Sequence, residues 1–203
     1  EVDYMLTPKQ NMLEVIKGGN PDRFVNQYEA VQLLFHPFMF TNPLLQPGQE
    51  NVVNAWGVTN TFPKGVPGSF PVHTPDKIVV KDIEDWKDYV HPPSLTFTQD
   101  QWDMVKAQYD AVDGEQAFKA AFVAPGLFEQ THHLCEISNA LVYYITNPDE
   151  MHDLIKYLTE WELELAEGIC SNLHPDALFH HDDWGGLDST FMSPAMFDEF
   201  LLE

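Results

Sequence analysis

An α/β fold built on a parallel sheet is predicted by three features of this chain. Two short apolar runs, Phe118 to Ala124, broken only by Lys119, and Ala177 to Phe179, have the pattern of strands buried on both faces. Each gives way at once to a turn or to titratable side chains, Pro125-Gly126 after the first and His180 to Asp183 after the second. Between them lies the clearest helical period in the chain, with Met151, Leu154, Ile155, Leu158, Trp161, Leu165 and Ile169 on one side and mostly Glu on the other. Strand, helix, strand in that order is a right-handed crossover between parallel strands.

The remaining elements follow from local signals. Thr7-Pro8 with Gln10 is a capping box with proline at the first helical position, and Met12, Leu13 and Ile16 give a helix face that ends at Gly18-Gly19. After the Asn20-Pro21-Asp22 turn, Arg23 to Tyr28 is expected to be a first buried strand, followed by a helical stretch from Glu29 through Phe35. Between His36 and Pro75 seven prolines break any helical period, so loop is expected there, with Val52 to Trp56 as a second core strand and residues 62–68 as a hairpin tip or lid. Asp82 to Val90 reads as a short acidic helix. Thr98 with Gln101 caps another, running through Trp102, Val105, Tyr109 and Val112. Leu127 to Ile145 is expected as one helix, and Ser193-Pro194 opens a last one bearing Met196, Phe197, Phe200 and Leu201. That makes about four β/α units, half of the eight a closed (β/α)8 barrel needs. A half barrel exposes two sheet edges, from which self-association is expected.

Composition narrows the function. Ten basic residues stand against 32 acidic ones, a formal charge of −22, which repels phosphate backbones and anionic membrane surfaces, so neither nucleic acid nor membrane is expected as a partner. No run of 18 apolar residues and no signal peptide is visible. Two cysteines, Cys135 and Cys170, stand far apart without a CxxC pattern, so a reducing cytoplasm is the expected compartment.

Asp182 and Asp183 are the candidate catalytic residues. Adjacent carboxylates at a strand end point to opposite faces, so one is free to meet a cavity while the other caps a turn. Capping alone is the competing account of both. His180-His181 and His132-His133 with Cys135 invite a metal, yet a helix puts His132 and Cys135 on one face and turns His133 away, so no complete metal site is expected within these residues. Trp56, Trp184, Tyr28 and Phe128 are candidate aromatic walls for a flat ligand, although most aromatic residues in such a fold are core. No GxGxxG, P-loop, GxSxG or HExxH pattern is present.

Several segments resemble the uroporphyrinogen decarboxylase superfamily. "HDDWGG" followed by "MSPAMFDEFLL" resembles its "DDxG…ISPExFxEF" segment. "TPKQNMLEVIKGGNPDRF" resembles its opening helix and turn, "AWGV" an early "D.WG" element, "DWKDYVHPP" a recurrent "DL.DY.WPD" segment, and "FVAPGLFEQTHHL" a strand-to-helix junction that faces the substrate. The resemblance implies that this chain is an N-terminal part of a (β/α)8 (TIM) barrel of the uroporphyrinogen decarboxylase type. It also implies that Gly57, Pro125, Gly126, His132 and His181 join Tyr28, Trp56, Phe128 and Trp184 around a small-molecule substrate.

The superfamily holds decarboxylases and corrinoid-dependent methyltransferases. Decarboxylases bind a many-carboxylate tetrapyrrole through an Arg-rich "RQAGR" motif, where this chain has only Arg23 ahead of "FVNQYE". The methyltransferase branch is therefore the expectation, moving a methyl group between a small methylated substrate or thiol and the corrinoid (cobalamin) of a partner protein, with zinc held by ligands downstream of this chain. Uroporphyrinogen decarboxylation is the first alternative, and a non-catalytic small-molecule-binding barrel the second.

Overall fold

The structure is a computed structural model that describes residues 5–42 and 44–202. It forms two compact units. The first comprises Glu1–Pro37, Thr96–Val123 and Ala166–His180, the second Phe38–Leu95, Ala124–Leu165 and His181–Glu203.

In the first unit, α1 (Pro8–Lys17) starts at the predicted Thr7 capping box and stops at Gly18, whose φ of 66° is the left-handed conformation that glycine adopts without strain. The expected strand Arg23 to Tyr28 is not a strand. Asn26 accepts a hydrogen bond from the Tyr28 amide, and the Glu29 carboxylate accepts one from the Asn26 amide, a capping box that commits Gln27–Ala30 to a single helical turn, α2. Strand β1 comes immediately after, at Val31–Leu34, where a helix was expected. The apolar stretch is long enough for one short strand, and the cap decides where it begins.

The second unit carries α3 (Phe38–Thr41) and a small antiparallel sheet of β2 (Val52–Val53), β3 (Thr59–Thr61) and β4 (Phe70–Pro71). The expected core strand Val52 to Trp56 is cut short at Asn54, whose side-chain oxygen accepts from the amides of Trp56 and Val58, both at 3.0 Å, and folds the chain into a turn that Gly57 closes at φ 79°. The acidic stretch from Asp82 is helical only over α4 (Trp86–Tyr89), because Asp82 bonds the Glu84 amide and holds a turn ahead of it.

Back in the first unit, α5 (Gln99–Asp110) begins at the predicted Thr98 capping box and buries Trp102, Val105 and Tyr109. It is followed by β5 (Phe118–Val123). Helices α6 (Leu127–Cys135) and α7 (Ile137–Thr146) of the second unit replace the single helix expected there. Glu136 breaks it with φ 72°, and its carboxylate caps α7 by accepting from the Ser138 and Asn139 amides. Helix α8 (Pro148–Leu173) runs through parts of both units. Strand β6 (Ala177–His180) ends the first unit; it is not the buried strand expected, since it lies at the end of the sheet order and leaves Ala177, Leu178 and His180 exposed. Helix α9 (Pro194–Phe200) lies in the second unit, starting at the predicted Ser193 cap.

Strands β1, β5 and β6 form one parallel sheet in that order, with Val31 opposite Phe118 and Ala120 opposite Ala177. The described residues thus contain three parallel strands instead of four, and no closed barrel. Phe122 of β5 packs against Phe35 and Phe179 with ring centroids 6.4 and 6.0 Å away. The second unit has its own core, in which Trp56, Val58, Phe128, Leu134, Tyr144, Leu154 and Leu158 are buried together.

Candidate functional site

Strand β6 delivers the chain to His181, Asp182 and Asp183, which lie with α6 in the second unit. Helix α6 follows the cis Ala124–Pro125 peptide and starts at Gly126, which has no side chain to cap it. Asp182 supplies the cap from a distant part of the chain. Its Oδ2 accepts from the Phe128 amide at 3.0 Å and its Oδ1 from the Glu129 amide at 2.8 Å, so one carboxylate satisfies two of the free donors at the helix start. The competing account, capping, thus holds for Asp182, although the capped element is α6 and not the turn that follows. Asp183 is exposed.

The clasp holds Glu129 in place, and Glu129 gathers the histidines. Its Oε1 lies 3.7 Å from His133 Nε2, one helical turn on, and its Oε2 lies 3.5 Å from His181 Nδ1. Oε2 is buried, and His181 is the partner it faces. Burial pushes the Glu129 carboxyl above its ordinary value of 4.5; His181 opposes the shift, and Asp182 and Asp183 add to it. Burial drives His133 down to about 3, helped by His132 and His73, so His133 is uncharged at neutral pH. His132 is lowered too, mainly by burial. His73 bonds the His133 carbonyl through Nε2 at 3.0 Å.

Behind this cluster the packing is aromatic. Phe128 is fully buried, 5.9 Å from Phe191 and 6.1 Å from Tyr144 between ring centroids, with His132 at 5.3 Å. Tyr144 shares a 3.0 Å hydroxyl contact with Thr131. Beyond Asp183, Trp184 opens a short hairpin closed by Gly186 to Ser189 and by Phe191 to Trp184. With Met192, Pro194 and Phe197 it lines an apolar pocket of about 160 Å³, whose one acid is Asp198.

Among the expected site residues, Gly126, Phe128, His132, His181 and Asp182 come together around the start of α6, next to Pro125 in the chain. Phe128 serves as core support there, since its ring has no exposed surface. Trp184, 43% exposed, is the aromatic residue best placed to meet a ligand. Trp56 is 5% exposed and packs on Trp161 at 4.9 Å, a core residue, while Gly57 is a turn residue. Tyr28 is exposed on α2, in the other unit. Glu129 was missed and His133 was weighed only as a metal ligand and set aside; the signal that could have joined them is the Glu-x3-His spacing one turn into a helix that follows Pro-Gly. Among the described residues no group of three or more His, Cys, Asp or Glu side chains is arranged to hold a metal ion.

Comparison of the chain with protein-family models, curated proteins and solved structures found no significant match.

Proposed function

We propose that this chain belongs to a β/α barrel enzyme of the uroporphyrinogen decarboxylase type that transfers a methyl group between a small methylated substrate or thiol and the corrinoid of a partner protein. One observation carries the reading. The "APGLFEQ" and "HDDWGG" segments, quoted above for their resemblance to that superfamily, meet at the Asp182 clasp although 54 positions separate Phe128 from Asp182. Two segments that each point to a substrate-facing loop thus supply one cluster of Glu129, His181 and Asp182. The order β1, β5, β6 agrees with it, since strands of a barrel lie side by side in chain order.

Methyl transfer is favoured over decarboxylation by charge. A substrate carrying many carboxylates needs a matching set of guanidinium groups. Arg23 is the only arginine of the chain, and it is engaged by Glu29 at 2.8 Å. Zinc does not fit the described residues, which offer no converging ligand set, so no step here is assigned to it. The corrinoid would arrive on its own carrier protein.

The test is direct. The protein is mixed with a reduced corrinoid and a panel of methylated donors, and the visible spectrum of the corrinoid is followed. Methylation of the corrinoid with one donor class is the expected result. Consumption of uroporphyrinogen with release of carbon dioxide would refute the assignment.

A further inference from the structure

The clearest unassigned chemistry in the molecule is the carboxyl of Glu129. It sits between two imidazoles, with His133 Nε2 at 3.7 Å from one oxygen and His181 Nδ1 at 3.5 Å from the other. The two histidines differ in access. The His133 side chain keeps 18% of its surface, the Glu129 side chain 21% and the His181 side chain 50%. A partly buried carboxyl thus has a buried imidazole on one side and a solvent-facing one on the other. Its Oε2 is closed off from solvent and faces His181 Nδ1, so that imidazole is a route by which the oxygen can exchange a proton.

We propose that Glu129 and His181 are the proton-transfer pair of this site: Glu129 presents a proton to the bound molecule, and His181 restores it from solvent. The inference rests on the reading that this cluster is where the methyl-transfer substrate binds. Its step is simple. The donor's carbon–heteroatom bond breaks with its electron pair left on the heteroatom as the methyl group passes to the reduced corrinoid of the partner protein, and the Glu129 proton joins that heteroatom, its O–H electron pair staying on the carboxylate. His181 then passes its Nδ1 proton back to the carboxylate and takes up a proton from solvent at Nε2, so each turnover moves one proton from solvent to the departing atom.

The surroundings suit that role. Charged and titratable groups face Glu129 from its own helix (His133) and from the loop after β6 (His181, Asp182 and Asp183), while His132 and His73 lie against His133. Burial and the two neighbouring aspartates favour the protonated carboxyl, whereas His133 is neutral and supplies no compensating charge. The Asp182 clasp fixes the Glu129 backbone and Phe128 fills the space behind it, so the carboxyl is held on a rigid support.

The experiment has two arms. In the first, carbon-13 NMR follows the glutamate carboxyl carbons with pH, and Glu129→Gln identifies the Glu129 signal. A midpoint above the ordinary glutamate value, moved further up by His181→Asn, is expected; an ordinary midpoint, or one that His181→Asn leaves in place, overturns the pairing. In the second, methyl transfer is measured with the donor found above. Glu129→Gln is expected to lower kcat about 100-fold with little change in KM, and added imidazole to restore part of the rate lost in His181→Asn. A Glu129→Gln rate within about twofold of the parent would overturn the assignment. A raised, His181-linked midpoint in a protein that transfers no methyl group would instead sustain the proton pair and refute the methyl-transfer reading.

Discussion

Two carboxylates clasp backbone amides from far along the chain, one in each unit, and their surroundings differ in kind. Asp176, in the first unit, accepts from the Lys119 amide at 2.9 Å and lies 3.2 Å from Lys9 Nζ, which also donates to the Gly114 carbonyl. Burial pushes its carboxyl up, but the Lys119 amide and the Lys9 ammonium outweigh that and leave it below its ordinary value. Asp182, in the second unit, accepts from two helix amides and, among the described residues, makes no ion pair with a lysine or arginine. The acids beside it, Asp183 and Glu129, crowd together, and the crowding is carried by Glu129, whose carboxyl is raised. Compensated charge marks a structural joint, and uncompensated charge on a rigid support marks a place where chemistry is kept available.

The largest test of that contrast is the response to acid. His133 is held neutral down to about pH 3, while an unfolded chain takes up its proton near 6.5. Between those values the unfolded state binds more protons, so stability is lost as pH falls below 6.5, by at most about 1.4 kcal/mol per pH unit from this one group. Glu129 works the other way. Its raised carboxyl holds a proton that the unfolded chain has released, so its contribution falls as pH rises from 4.5 toward its folded value. His133→Gln is expected to flatten the acid limb, read as urea midpoints between pH 4 and pH 6.5, whereas Glu129→Gln is expected to steepen it. His36 of the first unit, lowered by burial to about 4, keeps some acid sensitivity in both variants.

Removing the clasps comes next in size. Asp182→Ala leaves the Phe128 and Glu129 amides without their acceptor and is expected to cost about 2 kcal/mol, measured by urea unfolding at pH 7. Asp176→Asn keeps the shape but removes the charge facing Lys9, at a site where the carboxylate is 38% exposed. About 1 kcal/mol is expected, shrinking as salt is added. Equal losses for the two, with equal salt dependence, would erase the distinction between them.

What could be read from the residues follows the range of the interactions. The caps at Thr7, Thr98 and Ser193 join residues three apart, so spacing alone reveals them, and all three open helices where expected. Strands β5 and β6 were visible because short apolar runs bounded by turn residues have few other uses, although β6 proved exposed where burial was expected. Around Arg23 to Phe35 a capping box and an apolar run compete for the same residues, and the box at Asn26 displaced the strand by several positions. Asn54 ended Val52 to Trp56 in the same way. The Asp182 clasp was beyond reach for a different reason. Nothing near Gly126 in the chain signals that its helix lacks a cap, and nothing near Asp182 says which helix it serves. Glu129 was overlooked because a lone acid on an apolar helix looks like a solvated position until the partner loop is in place.

The smallest effect on stability separates the two adjacent aspartates. Asp183 is exposed and, among the described residues, clasps no backbone amide, so Asp183→Asn is expected to change the unfolding free energy by no more than about 0.5 kcal/mol. Its charge nevertheless helps raise the Glu129 carboxyl. Replacing it with a neutral amide of the same shape removes that push, so the Glu129 midpoint should fall toward 4.5 in the NMR titration while the urea midpoint at pH 7 stays where it was. Asp182→Asn should do more, because a carboxamide offers a single acceptor oxygen to two amides and also withdraws a negative charge from Glu129. If Asp183→Asn unfolds the protein as readily as Asp182→Asn does, both aspartates are structural and the acidic loop has no side chain to spare for chemistry.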